Sequence, residues 1–153
     1  MLEPLSRFTG LFCTGLAAGI AVCVLLMGRG WSGTPQFYTE LMQLLSRTLT
    51  VPAPALGAFG MIAIALNSAL LFQRGAGAAF WLAVASALCA LAAGVLTKFG
   101  HFPINNQVVN WNPANPPGDW TNVQARWSAL HLARTIAALG SFGLFLLSSS
   151  LPG

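Results

Sequence analysis

The chain has 153 residues, of which 56% are hydrophobic and only 7% are charged, and its net charge is +4. Soluble domains carry about 25% charged residues, so this composition indicates a membrane protein that is embedded in a lipid bilayer. The seven lysines and arginines stand singly near the ends of apolar runs, and this scatter excludes a nucleic-acid-binding surface.

The first apolar run covers residues 8–28 and contains no charged side chain. A run of about 20 residues is long enough to cross the hydrocarbon core of a bilayer. A cleaved signal peptide would have a shorter apolar region, of roughly 7–15 residues, so we expect a retained membrane span here. Gly15, Gly19 and Cys23 form a line of small residues along it, which allows a second helix to approach closely.

A second element follows in the first long loop. Thr34 is suited to cap a helix, and Pro35 suits its first turn. Apolar residues then recur at i, i+4, i+7 and i+8 from Phe37, which predicts an amphipathic helix over residues 35–47. The helix is too short and too polar to cross a membrane. We expect it to lie along the membrane plane or to cover the bundle, facing lipid rather than contacting a ligand.

Three further spans are predicted over residues 52–73, 78–98 and 122–148. Within the second of them, Asn67 is expected to form a hydrogen bond with a neighbouring helix. Residues 102–119 read as an irregular polar loop, and Lys98 as an anchor at the end of the third span. The last helix starts near Trp120, and its first turns should project beyond the membrane.

The whole chain, residues 1–153, therefore reads as one all-α domain of a polytopic membrane protein. Its predicted architecture is a bundle of four transmembrane helices with a short interfacial helix in the first loop. Four spans place both termini on the same side of the membrane. The basic residues are divided between the two sides and do not choose an orientation.

The fourth span opens with a polar and aromatic stripe. Spacings of +4, +3, +4 and +3 place its members on one helix face, and they are Trp120, Gln124, Trp127, His131 and Arg134. Ionisable side chains at membrane depth normally face the interior of a bundle or a wet cavity. We therefore expect the stripe to face inward.

A second polar group leaves the third span on the same side of the membrane. His101 stands at the end of that span, and Asn105 and Asn106 follow it. Together with the stripe they predict an aromatic-lined pocket near one membrane surface. Its walls should be the third span, the fourth span and the loop over residues 102–119.

The pocket residues resemble a known family. The run from Phe102 to Asn106, FPINN, is followed by Trp127, His131, Arg134 and Thr135 in a W-x3-H-x2-R-T pattern. This arrangement is similar to that of the anthrone oxygenase-like family of small four-helix membrane proteins, as are the Met42-Gln43 pair and the order of the spans. The chain departs from the family pattern at Leu130 and at His101, where an asparagine and an amide are expected.

The resemblance implies oxidation of a flat, hydrophobic, anthrone-like substrate by O2 without a cofactor. In that interpretation His131 is the general base and Arg134 stabilises the enolate oxygen. Substrate binding falls to two tryptophans and three polar side chains: Trp120, Trp127, His101, Asn105 and Asn106. The structural alternative is that these polar residues bond the backbone of the irregular loop, and the sequence leaves both interpretations open.

Other chemistries fit the sequence less well. His101 and His131 lack a third nitrogen or sulfur ligand nearby, so we predict no metal site. The three cysteines are not paired in a redox motif, and no carboxylate lies within a span, which argues against disulfide exchange and proton antiport. The remaining rival function is a non-catalytic accessory subunit of a larger membrane complex, or a homo-oligomer.

Overall fold

The computed structural model describes residues 2–29, 33–75 and 77–151, with the backbone alone for Arg29. Over these ranges the regular secondary structure is all helical and contains no strand, which confirms the predicted class. The helices are α1 (Leu2–Arg29), α2 (Pro35–Leu49), α3 (Pro52–Gln73), α4 (Ala78–Val95), a π-helical segment (Leu96–His101), α5 (Phe102–Val109) and α6 (Trp120–Ser150). Four stretches are long and apolar enough to cross a membrane: Leu2–Gly28, Pro52–Gln73, Ala78–Val109 and Trp120–Ser150.

The four long helices pack in a ring, in which α1 and α4 each contact α3 and α6. Glycines permit the closest approaches between them. A Cβ at Gly10 would lie 2.3 Å from the Phe145 ring, and one at Gly60 would lie 3.0 Å from Thr14 Cγ2. In the predicted small-residue line Gly15 does face Phe142, whereas Gly19 has no neighbouring atom within 4 Å of its Cβ position. Small residues therefore set the spacing, but at positions that only the packing reveals.

The outer surface of the ring is apolar. Phe8, Phe59, Ile62, Trp81 and Ile136 are each more than 60% exposed. Exposing such side chains to water is energetically unfavourable, whereas contact with lipid tails is not. The four helices thus fit a multi-pass membrane protein.

Helix α2 forms where the sequence predicts it. Thr34 Oγ1 accepts a hydrogen bond from the Phe37 amide at 3.3 Å and caps the first turn. Tyr38 and Met42 are only 1% exposed, in an apolar cluster with residues of α5 and α6. Burial raises the pKa of Tyr38 to about 12, so its phenol stays protonated at neutral pH. Gln43 Nε2 donates to the Trp111 carbonyl at 3.0 Å and fastens α2 over the end of α5. Its angle to the membrane plane stays a prediction.

The helix that carries the third span continues well past Lys98, so the prediction of an irregular loop is wrong for residues 102–109 and holds only for residues 110–119. The chain passes through the π segment into α5 and leaves helical structure only at Asn110. Pro103 cannot donate a hydrogen bond to the preceding turn, and its ring would crowd that turn. The wider π turn before it accommodates both effects. Helices α1 and α6 likewise extend beyond the predicted bounds, to Leu2 and Ser150.

Polar side chains inside the spans differ in how they are satisfied. Ser86 Oγ donates to the Ser141 carbonyl at 2.7 Å and joins α4 to α6. Asn67 is 1% exposed, but its amide forms no hydrogen bond with any described residue. The predicted bond from Asn67 to a neighbouring helix is therefore absent from the described part of the chain.

Candidate functional site

A cavity of about 500 Å³ lies inside the ring of helices. Its walls come from α1, α2, α3, α4, the π segment, α5 and α6, and alanine is the commonest residue in its lining. The expectation that only the third span, the fourth span and their loop would form the pocket is thus too narrow. Helices α1 and α3 also line the cavity, with residues such as Ala17 and Gly57.

Four of the predicted site residues line this cavity together: His101, Asn105, Trp127 and Arg134. They come from three consecutive elements, the π segment, α5 and α6. Trp127 Nε1 donates a hydrogen bond to Asn105 Oδ1 at 3.0 Å, which ties α6 to α5 across the cavity wall. The predicted inward orientation of the α6 stripe is found for Trp127 and Arg134.

The rings of Trp127 and the two histidines form a compact cluster. The rings of Trp127 and His131 are nearly parallel, with centroids 4.7 Å apart and an interplanar angle of 15°. The His101 ring meets both of them edge-on, at 5.5 Å from Trp127 and 5.9 Å from His131. His131 is completely buried and borders a separate small cleft of about 110 Å³ rather than the main cavity.

His131 is held from two sides by hydrogen bonds. Its Nε2 lies 3.0 Å from the carbonyl oxygen of Ala21 on α1. Arg134, one turn further along α6, donates from Nη2 to His131 Nδ1 at 2.8 Å. Both imidazole nitrogens are therefore engaged, one by a backbone carbonyl and one by a guanidinium.

Arg134 brings a positive charge to the cavity wall. Within the described part of the chain the only salt bridges join Glu3 to Arg7 and Arg74, so no carboxylate neutralises Arg134 there. Its Nε is buried and has no hydrogen-bond partner among the same residues. A guanidinium in this condition is suited to an anionic or strongly polarised oxygen of a bound molecule.

His101 lies in the π segment, where the widened turn shapes its contacts. Its Nδ1 lies 3.1 Å from the carbonyl oxygen of Leu96, five residues earlier. The ring is 1% exposed, and its Nε2 forms no hydrogen bond with any described residue. π turns are frequent at functional sites, and this one places a histidine at the cavity wall.

Two predicted substrate-binding residues lie apart from the cavity lining. Trp120 packs against Tyr38, with ring centroids 5.8 Å apart, in the apolar cluster beneath α2. Asn106 is exposed on α5, and its backbone carbonyl accepts a hydrogen bond from Asn110 Nδ2 at 2.8 Å. Adjacent residues of a helix point in directions about 100° apart, so Asn105 and Asn106 cannot both face inward.

The sequence interpretation missed several lining residues. Helix α2 was expected to face lipid, yet Met42, Leu45, Ser46 and Leu49 contribute to the cavity wall. Lys98, interpreted as a headgroup anchor, also lines it. The polar serine within an otherwise apolar face of α2 was a signal for an inward role, since lipid-facing positions rarely hold hydroxyl groups.

Within the described ranges, no three or more histidine, cysteine or acidic side chains gather to hold a metal ion. The free cysteines differ in position, with Cys13 buried, Cys23 exposed and Cys89 in between. The chemistry that the site offers therefore rests on an apolar cavity, a flat indole, two imidazoles and a guanidinium.

Comparison with known proteins adds one finding. The family model described as anthrone oxygenase matches residues 42–144, which include the second half of α2, all of α3, α4, the π segment and α5, and most of α6. No curated protein and no solved structure matches the chain.

Proposed function

Because this chain belongs to the anthrone oxygenase family, we propose that it oxidises a flat, hydrophobic, anthrone-like molecule with O2 inside the cavity. The observation that supports the proposal is the cavity itself, about 500 Å³ in volume, with His101, Trp127 and Arg134 on one wall. Small-molecule sites have volumes of roughly 300–1,000 Å³ and mostly apolar linings with few polar groups.

The chemistry needs a base, a stabilised anion and O2 as the oxidant. Removal of one proton from the methylene carbon of an anthrone leaves an enolate, whose electron pair reduces O2 and forms a carbon–oxygen bond. The resulting peroxide is protonated. Loss of the second methylene hydrogen with cleavage of the O–O bond then gives a carbonyl and one water. The CH2 group and O2 thereby become C=O and H2O, and no cofactor enters the balance.

We assign Arg134 to the enolate oxygen, because a preorganised donor in an apolar cavity stabilises developing negative charge strongly. Trp127 offers its indole to the flat ring system, with Asn105 fixing the orientation of that indole. In this proposal His131 acts on the site indirectly, through its hydrogen bond to Arg134. Trp120 and Asn106 support α2 and α5 from outside the cavity.

We also propose that both termini lie on one side of the membrane. Arg7 Nη1 donates to the Ser149 carbonyl at 3.2 Å, a contact that joins the beginning of α1 to the end of α6. Labelling of single cysteines added at the two ends, in sealed vesicles, tests this arrangement. Labelling of the two ends from opposite sides would contradict it.

Filling the cavity tests the oxidase proposal. Gly57 lines the cavity and no atom lies within 4 Å of its Cβ position, so Gly57→Leu places a side chain in the space that the substrate needs. We expect the purified wild-type protein to accelerate O2 consumption by an anthrone above the uncatalysed rate. The Gly57→Leu variant should lose this acceleration and keep its thermal stability.

The matched control is Gly19→Leu, because Gly19 is equally free of neighbours but does not line the cavity. It should retain wild-type turnover. If the wild-type protein never exceeds the uncatalysed rate, the oxidase proposal fails. The accessory-subunit alternative would then be tested by whether the protein purifies from its native membrane with other chains.

A further inference from the structure

The two histidines are held in opposite tautomers by the carbonyl groups they contact. A carbonyl oxygen can only accept a hydrogen bond, so the imidazole nitrogen beside it must carry the hydrogen. His131 therefore carries its hydrogen on Nε2, beside Ala21, and His101 carries its hydrogen on Nδ1, beside Leu96. The remaining nitrogen of each neutral ring holds a lone pair.

The lone pair of His131 is already in use. Arg134 Nη2 donates to His131 Nδ1 at 2.8 Å, so a proton arriving at Nδ1 would have to displace this bond. The new imidazolium would also lie directly against a guanidinium of the same charge. Like charges at such a separation oppose each other strongly away from water. His131 is thus poorly placed to accept a proton, and it does not line the main cavity.

The lone pair of His101 is not in use within the described part of the chain. His101 Nε2 is buried and forms no hydrogen bond there, while His101 itself lines the 500 Å³ cavity. The chain contains only two histidines, so this nitrogen carries the one imidazole lone pair that has no hydrogen-bond partner among the described residues.

We propose that His101, and not His131, is the general base of the reaction, an assignment that rests on the proposed function. Its Nε2 accepts the proton from the methylene carbon, and the electron pair remains on the substrate as an enolate beside Arg134. The enolate adds to O2, and the imidazolium returns its proton to the peroxide oxygen. In the second half, Nε2 removes the remaining hydrogen as a proton while the O–O bond breaks, and it passes that proton to the departing hydroxide, which leaves as water.

His131 is then a positioning residue. Trp127 stacks on one face of its ring, and Ala21 fixes its Nε2, so its Nδ1 holds one nitrogen of Arg134 in a constant place. The guanidinium nitrogens not engaged by His131 remain for the substrate oxygen. The π segment supplies the base, and α6 supplies the anion-stabilising group.

Two matched variants separate the roles. In His101→Asn the amide nitrogen stays close to the position of Nδ1 and can still donate to Leu96, but no base remains. In His131→Gln the amide nitrogen can reach Ala21 as Nε2 does, and His101 is untouched. We expect His101→Asn to lower turnover by about 10²–10⁴-fold, the usual contribution of a general base. His131→Gln should lose less.

A substrate deuterated at the methylene carbon distinguishes the residue that removes the proton from a residue with only a structural role. The kinetic isotope effect should rise in His101→Asn, because proton removal becomes the slow step, and should stay at the wild-type value in His131→Gln. If His101→Asn keeps wild-type turnover while the wild-type protein is active, the assignment of His101 fails and the oxidase proposal stands. If the wild-type protein itself does not oxidise anthrones, both fail.

The tautomers of the two histidines can be measured in the wild-type protein, so this test requires neither a variant nor an activity assay. Nitrogen-15 spectra of the wild-type protein with labelled histidine report which ring nitrogen is bonded to hydrogen. One imidazole should carry its hydrogen on Nδ1 and the other on Nε2. Two Nε2-protonated rings would overturn the proposal whatever the variants do.

Discussion

At the scale of single residues, Arg134 is a side chain whose burial lowers the stability of the fold but whose charge can bind an anionic group of a substrate. It carries a charge at membrane depth without a carboxylate partner among the described residues. Burying a charge in this way destabilises a protein, and replacing it by an apolar group of similar size is often neutral or stabilising. Its presence at the cavity wall is therefore better explained by a role toward a bound anion than by stability.

Replacing Arg134 should separate activity from stability. We expect Arg134→Met to reduce turnover by about 10²–10³-fold, the effect of removing one donor to a developing oxyanion. Thermal stability should match or exceed that of the wild type, because the lost bond to His131 is offset by removal of a desolvated charge. Steady-state oxidation and thermal unfolding in the same detergent give both values.

Arg126 provides the control for this experiment. It lies on the same helix but is exposed, and it does not line the cavity. Arg126→Met should therefore leave turnover and stability unchanged. Equal losses of turnover in the two variants would point to a general effect of net charge and not to a role of Arg134 in the site.

Two neighbouring asparagines should differ in how much stability they contribute. Asn105→Ala removes the hydrogen bond to Trp127 and should lower the free energy of unfolding by about 0.5–1.5 kcal/mol. Asn106 is exposed on the outer side of α5, so Asn106→Ala should change it by less than about 0.5 kcal/mol. Unfolding curves of the two variants decide the matter. A larger loss for Asn106→Ala would show that the polar side of α5 is structural.

At the scale of elements, the closest contacts between helices occur at glycines, which have no side chain to hold the helices apart. Helix α1 approaches α6 closely at Gly10, where a Cβ would overlap the buried Phe145 ring. The π segment approaches α6 in the same manner, since a Cβ at Gly100 would lie 3.1 Å from the Leu130 side chain. These close approaches keep the rings of His101 and His131 in contact within one cluster.

A methyl group at Gly10 should therefore destabilise the protein. Gly10→Ala brings Cβ to 2.3 Å from Phe145 Cε1, and overpacking of this kind costs about 1–3 kcal/mol. Gly19→Ala, on the same helix and free of neighbours, should be neutral or raise the free energy of unfolding by roughly 0.5–1 kcal/mol through helix propensity. If both variants are equally stable, the α1–α6 interface is looser than the structure indicates.

At the scale of the whole molecule, the ring of helices creates a space that no single helix contains. Its outer face carries large apolar side chains toward lipid, while its inner face is lined mainly by small residues. This distribution reverses the usual order of a soluble protein, in which large apolar residues fill the centre. The small inner residues leave a cavity, and α2 forms part of its wall.

The amino-acid sequence is sufficient to predict the class of the fold, the number of spans, the helix at α2 and the resemblance at residues 102–106 and 127–135. These features depend on local patterns, because hydropathy and helical spacing are read from neighbouring residues along the chain. The same periodicity placed Trp127 and Arg134 on one inward face of α6.

The contacts of each polar group, in contrast, are visible only in the folded protein. Ala21 lies 110 residues from His131 in the chain, and a backbone carbonyl leaves no signature in a sequence, so the engaged state of His131 was not predictable. The continuation of the third helix through the π segment was missed for a related reason. Pro103 and its polar neighbours signal a loop locally, but a helix forms there, packed against α2 and joined to α6 by the Ile104–Val108 cluster and the Asn105–Trp127 hydrogen bond. Local composition describes the residues that a site contains, and contacts across helices determine which lone pairs and charges remain available in it.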